Sequence, residues 1–363
     1  MKKGGIFLLK LENTKPFSFF AAANSGKGFV SFFEEIFNSK EMVKRYLIKG
    51  GPGTGKSSFM RRVASEAEKK GRKVVYYHCS SDPSSLDGII IDSKIALIDS
   101  TSPHATEPSF VGAKDSIVDL GVFWDCGVLE KRMDEISSLT EKKRHSYALA
   151  YRFLSSAMQS EIASREILLP YVDMSRIEKT ARRLTCKIKR GEEYYLKIGL
   201  SSAIGTAGRC ELQSYEQIAK QTVYIEDAFG FGCLLLSKLC EFAAKNQNKI
   251  SVSYQPLCPD LPDAVLFEEE GVAFVLCKER KHKNQKQVSL RRVLKLNNIT
   301  QKEKLSLRAR SRNAKKLSDA LIIAACDELA LAGEAHFELE EIYRQAMDFS
   351  ALNAFFEGFV RKI

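Results

Sequence analysis

The sequence predicts an α/β protein with two tandem domains, and three observations lead to that prediction. A glycine-rich loop at residues 50–57 lies between a short apolar run and a stretch whose apolar residues have helical spacing. The pattern around this loop recurs in the second half of the chain at a nearly constant offset. Segments rich in helix formers, 141–183 and 317–360, close the two copies. We therefore expect two mostly parallel sheets with helices on both faces, each followed by a helical hairpin.

The composition of the 363-residue chain is that of an ordinary globular protein. With 44% hydrophobic residues it has enough apolar side chains for a buried core, which excludes a mostly disordered chain. The longest apolar run, 321–326, is far shorter than the about 18 residues of a membrane-spanning helix. The apolar stretch 6–9 is too short for a secretory signal, and no two cysteines have the spacing of a zinc or redox motif. We therefore expect a cytoplasmic protein with reduced thiols, no membrane association and no structural metal ion.

The positive charge of the chain is concentrated in residues 277–316, which we call the basic segment. The chain has 56 basic and 45 acidic residues, a net charge of +11, and the basic segment alone has fifteen Lys or Arg and two Glu. Such a run predicts contact with the phosphates of a nucleic acid or with another acidic partner. The alternative is a solvated, lysine-rich insertion. Because the segment contains no aromatic residue, we do not expect it to stack on single-stranded bases.

The glycine-rich loop matches the phosphate-loop pattern G-x-x-x-x-G-K-[ST] at every fixed position. The predicted nucleotide-binding residues are Gly50, Gly51, Pro52, Gly53, Thr54, Gly55, Lys56, Ser57 and Ser58. The glycines let the backbone approach phosphates closely, and the amides at the start of the next helix point at the anionic oxygens. Lys56 is expected to reach the β- and γ-phosphates, and the Ser57 hydroxyl is expected to bind Mg²⁺. ATP is the expected nucleotide, because the chain has no Asn-Lys-x-Asp guanine motif.

A second candidate residue follows the apolar run 95–98, where Asp99 has the position of a Walker B carboxylate. Asp99 is predicted to help hold Mg²⁺ and to act with Lys56 in catalysis, and the alternative is an Asp that only caps a turn. Ser100 follows it, so the Asp-Glu pair of many ATPases is missing, and no catalytic base is evident. Four other polar residues are expected on loops at the same sheet edge, each more consistent with a turn or cap than with catalysis: Asp82, Asp87, His104 and Glu107.

Comparison of the chain with itself indicates a duplication at an offset of about 175–177 residues. The copy has lost the functional residues of the first loop, with these replacements: Gly50 by Asp227, Lys56 by Cys233, Ser57 by Leu234 and Asp99 by Leu276. A loop without its Lys, and with a new carboxylate, is not expected to hold a triphosphate. We therefore predict a functional domain at 1–185 with a helical tail. A degenerate domain at 186–363 would contain the basic segment and a second helical tail.

Several stretches resemble a little-characterised family of bacterial tandem P-loop predicted ATPases. They are residues 19–28, 50–58, 78–83 and 101–104. The resemblance implies two tandem P-loop NTPase-like domains that bind ATP and hydrolyse it. In that family both halves can carry the loop, so this chain departs from the pattern in its second half. The resemblance implies no particular substrate or partner.

Three functions are consistent with these residues. The leading hypothesis is a Mg-dependent ATPase in which Lys56, Ser57 and Asp99 form the site, with an arginine finger from the basic segment. The candidate fingers are Arg291, Arg292, Arg308, Arg310 and Arg312. The alternatives are a kinase for a nucleotide or other small molecule, and an ATP-gated binding module with little turnover that contacts a nucleic acid.

Overall fold

The computed structural model describes the backbone of residues 8–10 and all of residues 17–103, 105–277, 285–361 and 363. The strands of the first half are β1 (Leu8–Lys10), β2 (Ser18–Phe20), β3 (Ala22–Ser25), β4 (Gly28–Ser31), β5 (Lys44–Lys49), β6 (Val74–His78), β7 (Leu86–Ile91), β8 (Ile95–Asp99) and β9 (Asp115–Asp119). Its helices are α1 (Phe33–Phe37), α2 (Lys56–Lys69), α3 (Cys126–Glu130), α4 (Met133–Glu166) and α5 (Met174–Thr185). Each predicted strand around the glycine-rich loop is present.

In the described residues, the second half repeats the order of elements of the first half from β2 onward, and neither β1 nor α3 has an equivalent there. Its strands are β10 (Tyr195–Ile198), β11 (Ser202–Gly205), β12 (Gly208–Glu211), β13 (Gln221–Glu226), β14 (Lys249–Tyr254), β15 (Pro262–Phe267), β16 (Val272–Cys277) and β17 (Gln287–Ser289). Its helices are α6 (Ser214–Ile218), α7 (Gly232–Lys245), α8 (Gln301–Gln345) and α9 (Phe349–Val360). No helix in the described part of the chain is long and apolar enough to cross a membrane.

The two halves form six-stranded sheets with equivalent strand orders. The first sheet is β2-β6-β7-β8-β5-β9 and the second is β10-β14-β15-β16-β13-β17. The α/β prediction is confirmed, but both sheets are mixed rather than mostly parallel, because β7 and β15 run antiparallel to both of their neighbours. The connections 79–85 and 92–94 that flank β7 are too short for the crossover that two parallel strands require.

The inner faces of the two sheets pack toward each other. Leu47 and Ile98 of the first sheet belong to one apolar cluster with Leu266 and Ala273 of the second. The short helices α1 and α6 contribute Phe33, Phe37 and Tyr215 to the same cluster. The expectation of helices on both faces of each sheet is therefore wrong for the inner faces, where the partner sheet supplies much of the cover.

The outer face of each sheet is covered by α2 or α7 of the same half together with the tail helix of the other half. On the first sheet, Phe356 and Phe359 of α9 pack with α2, and the Phe59 and Phe359 ring centroids are 5.1 Å apart. On the second sheet, Ile177 and Ala181 of α5 pack against α7. The division of the sequence near residue 185 remains a prediction, but neither tail packs on the sheet of its own half.

The long helices α4 and α8 lie side by side in antiparallel orientation. The Ser164 hydroxyl donates to the Ser311 carbonyl at 2.9 Å, and the Ser318 hydroxyl donates to the Ala157 carbonyl at 2.9 Å. Farther along, Leu139 of α4 packs with residues near the end of α8. Because of this pairing, the end of α8, a helix of the second half, lies at the glycine-rich loop of the first half.

Candidate functional site

The glycine-rich loop lies at the carboxyl end of β5 and leads into α2. Gly50, Gly53 and Gly55 have φ values of 147°, 70° and 81°, in the left-handed region where side chains cause strain. The Thr54 hydroxyl is buried and donates to the Gly51 carbonyl at 2.9 Å, which stiffens the turn. Helix α2 has no side-chain cap at its N-terminus, so the amides of its first turn remain available to an anion.

Lys56 and Asp99 meet at this loop. The Lys56 ammonium donates to the carbonyls of Gly50 and Gly51 at 2.8 and 2.9 Å, and its Nζ is 3.6 Å from Asp99 Oδ2. Asp99 is the last residue of β8, which pairs in parallel with β5 so that Asp99 lies beside Ile48. Both charged side chains are mostly buried, so their attraction is less screened than at the surface.

Ser57 and Asp99 are each oriented by a further hydrogen bond. The Ser57 hydroxyl accepts the Leu86 N–H at 3.0 Å. Asp99 Oδ1 accepts the Thr101 N–H at 3.0 Å and the Thr101 hydroxyl at 2.5 Å. Within the described residues no group of three or more His, Cys, Asp or Glu could hold a metal ion. The residues at this edge that could hold a metal ion are Ser57, through its hydroxyl, and Asp99, through its carboxylate.

Of the four other polar residues expected at this edge, the structure describes three, and none of these three contacts Lys56 or Asp99. Asp82 is in an exposed turn, where it accepts the Ser84 N–H at 3.0 Å. Asp87 is not on a loop, because it lies within β7 and is 4% exposed. Glu107 is an exposed residue 3.8 Å from Lys49, and His104 lies outside the described residues.

The end of α8 and Trp124 cover the glycine-rich loop, which sequence reasoning missed. A Cβ atom built on Gly53 would collide with the backbone carbonyl of Glu340. One built on Gly51 would lie 3.3 Å from the Trp124 ring and 3.4 Å from Tyr343. The apolar stripe of this helix indicated a buried face, but it did not indicate that the face lies on the other half of the chain.

Two charged residues from the long helices converge on Lys56. Glu340 of α8 lies 3.5 Å from the His336 ring nitrogen. That contact, the Gly53 N–H and the charge of Lys56 lower the pKa of Glu340, against the opposing effect of burial. Burial and the nearby charge of Lys56 lower the pKa of Lys143 of α4, while Glu340 acts in the opposite direction. Neither Lys143 nor Glu340 was predicted, because both are distant from the loop in sequence.

The three candidate arginine fingers on α8 lie far from Lys56, so the expectation is wrong for them, and for Arg291 and Arg292 it stays a prediction. Arg312, the nearest of the three on α8, is 28 residues before Glu340, or about 42 Å along a helix. Arg291 donates instead to Glu226 at 2.7 Å, and the Arg292 carbonyl accepts from Arg176.

The basic segment is described only in part, because residues 278–284 lie outside the described residues. In the described part, exposed basic residues lie along the N-terminal part of α8: Lys302, Arg308, Arg310, Arg312 and Lys316. They lie at the opposite end of α8 from the glycine-rich loop. Contact of this surface with a nucleic acid or an acidic partner stays a prediction.

The second loop, residues 227–234, is closed by its own carboxylate. Asp227 Oδ1 accepts the Gly230 and Phe231 amides at 2.8 and 2.9 Å. A Cβ atom on Gly230 would lie 3.2 Å from the Arg165 side chain of α4. The amides that would cradle a phosphate are thus already satisfied.

Comparison of this chain with protein-family models, curated proteins and solved structures finds no match in any of the three. The function is therefore argued from the geometry of the site.

Proposed function

We propose that the protein binds Mg-ATP at residues 50–58 and hydrolyses it. The observation that carries the proposal is the meeting of Lys56 and Asp99, 3.6 Å apart, at a glycine loop that opens into an uncapped helix. Free amides, a helix N-terminus and an ammonium group together favour a polyphosphate over other ligands. This arrangement supports a P-loop NTPase-like first half and a degenerate second half.

The residues present fit a magnesium ion. Ser57 and Asp99 supply hard oxygen ligands, and Mg²⁺ in phosphoryl-transfer sites is typically held by one or two protein groups together with phosphates. When bound, the ion would neutralise charge on the phosphates. Thr101 orients the Asp99 carboxylate, and Lys56 offers its ammonium to the phosphate oxygens in place of the two loop carbonyls.

The kinase alternative receives no support from the described cavity. A cavity of about 340 Å³ between the two sheets is lined by Met42, Lys73 and Ser93, among others. These residues lie at the amino ends of β5, β6 and β8, whereas the glycine-rich loop lies at the carboxyl end of β5. An acceptor bound in this cavity would be at the wrong edge of the sheet for transfer from Lys56.

A gated binding module is the second candidate function. The contact of Glu340 and Tyr343 with the glycine-rich loop favours it, because nucleotide binding would then act on a helix of the other half. In that case ATP would bind with little turnover.

Phosphate release from Mg-ATP, measured for the wild type and for Lys56→Ala, tests the proposal. We expect turnover on the order of 0.01 s⁻¹ or faster in the wild type and none in Lys56→Ala. Lys238→Ala, which removes a half-buried lysine from the equivalent helix α7, is the matched control. Unchanged ATP affinity in Lys56→Ala would overturn the site assignment. Binding without turnover in the wild type would favour the gated module.

A further inference from the structure

We propose that Glu340 of α8 occupies the anion-binding face of the glycine-rich loop, so that the phosphates of ATP must displace it to bind. The inference rests on the proposed function, because it concerns regulation of the same site. It makes the end of α8 a built-in competitor of the nucleotide, contributed by the degenerate half.

The first support is the closeness of the contact. The Glu340 carbonyl lies where a Cβ atom on Gly53 would be, so only a glycine can stand at this position of the loop. Trp124 and Tyr343 lie against Gly51, and their ring centroids are 5.4 Å apart. The loop and the end of α8 therefore form one packed surface.

The second support is the chemistry of the carboxylate. His336, 3.5 Å from the carboxylate, lowers the pKa of Glu340 most, and burial opposes it. The Gly53 N–H and the charge of Lys56, which are expected to hold a phosphate oxygen, lower the same pKa further. Lys143 also faces Lys56 and Glu340, and it makes no ion pair in the described structure. A triphosphate would repel the carboxylate and attract both lysines. Displacement of Glu340 would thus leave Lys143 beside Lys56 as a second phosphate-binding cation.

The third support comes from the internal repeat. At an offset of 175 residues, the position of Glu340 corresponds to Arg165, which lies on Gly230 of the second loop. Each loop thus meets a charged residue from the long helix of the other half, although Arg165 contacts Gly230 through its methylene carbons and its guanidinium donates to the Cys258 sulfur at 3.5 Å. The anion of the second loop is part of that loop and cannot leave. The anion of the first loop is on a separate helix and can be displaced.

ATP affinity of Glu340→Gln, measured by titration calorimetry with Mg-ATP, tests the inference. The substitution removes the charge and preserves the side-chain size, so we expect ATP to bind between about 5- and 150-fold more tightly than to the wild type. Glu338→Gln, an exposed neighbour on α8, is the matched control and should bind ATP like the wild type. Thermal melting of both variants checks that they are folded.

Hydrogen exchange of residues 336–345 provides a second readout. We expect these amides to exchange faster in wild-type protein saturated with Mg-ATP, while those of 318–325, in the middle of α8, do not change. Equal or weaker ATP binding by Glu340→Gln, or unchanged exchange at 336–345, would overturn the proposal that ATP displaces Glu340. Neither result would bear on the proposed ATP site itself. Failure of the wild type, Glu340→Gln and Lys56→Ala alike to bind ATP would overturn the proposed function as well.

Discussion

The two glycine loops of this chain follow equivalent strands and enter equivalent helices, yet their amides have different partners. In the second loop the Asp227 carboxylate accepts two backbone amides. In the first loop Gly50 stands at that position, and the Lys56 ammonium extends across the loop carbonyls instead. The comparison shows that one carboxylate within a glycine loop can take up backbone amides that an external anion would otherwise meet.

Each half contributes to the other, but only part of this contribution is the same in both directions. Each sheet depends on the tail helix of the other half for its outer cover. The first loop alone has a displaceable partner, Glu340, whereas the second loop is satisfied internally. The second half is therefore a structural partner of the first half.

The largest expected effect concerns the exchanged tails. We expect residues 1–185 expressed alone not to fold, because the sheet would lose Leu352, Phe356 and Phe359 of α9 from its core. Circular dichroism and thermal melting check this, and co-expression with residues 186–363 should restore a folded complex. Cooperative unfolding of residues 1–185 alone, near the melting temperature of the full chain, would contradict the conclusion that the first sheet needs α9 of the other half.

A smaller effect is expected from a buried ion pair of the first half that has no counterpart among the described residues of the second half. Arg45 binds Asp115 through two hydrogen bonds of 2.6 and 2.9 Å, and both side chains are buried. Asp115→Ala removes both hydrogen bonds and leaves the buried arginine with only Glu34, 4.0 Å away, so we expect a loss of about 3–5 kcal/mol in the free energy of unfolding. Denaturant titration measures it. In the second half, Arg291 is 68% exposed, so Glu226→Ala should cost no more than about 1 kcal/mol.

The pH dependence of the stability that Asp115 contributes is a control for this prediction. Arg45 holds the pKa of Asp115 well below its usual value of about 3.9. A carboxylate with a lowered pKa in the folded state stabilises the fold above the unfolded pKa and loses that contribution as the pH falls through the folded pKa. The difference between the wild type and Asp115→Ala should therefore be constant above about pH 5 and shrink only in stronger acid. A difference that instead disappeared near neutral pH would argue against this assignment.

The smallest effect is expected on ATP binding when the first loop is changed to resemble the second. Gly50→Asp should place a carboxylate near the loop amides and weaken ATP binding by about a hundredfold, or roughly 3 kcal/mol. Because Gly50 has a φ of 147°, Gly50→Ala is needed to measure the cost of strain alone. The reverse change, Asp227→Gly, should not create a nucleotide site, since Cys233 replaces the lysine. Equal ATP affinity of Gly50→Asp and Gly50→Ala would mean that charge is not what closes the second loop.

Several features could be predicted from local sequence because they depend on local chemistry. The glycine loop, the strand before it and the helix after it follow from residue types over about 25 positions. The meeting of Lys56 and Asp99 follows from two strands whose carboxyl ends share an edge. The antiparallel course of β7 was predictable from the short connection 92–94, but the mostly parallel pattern was expected instead.

The sequence by itself determined the α/β class, the repeat and the residues of the first loop, since each depends on neighbours along the chain. Tertiary structure alone decided which half each tail covers, because the apolar stripe of α9 would fit either sheet equally well by its composition. It also decided that Glu340 and Lys143 reach the loop and that the arginines of α8 do not. Those positions depend on the antiparallel register of two helices 34 and 45 residues long, in which small shifts separate charges by many ångströms.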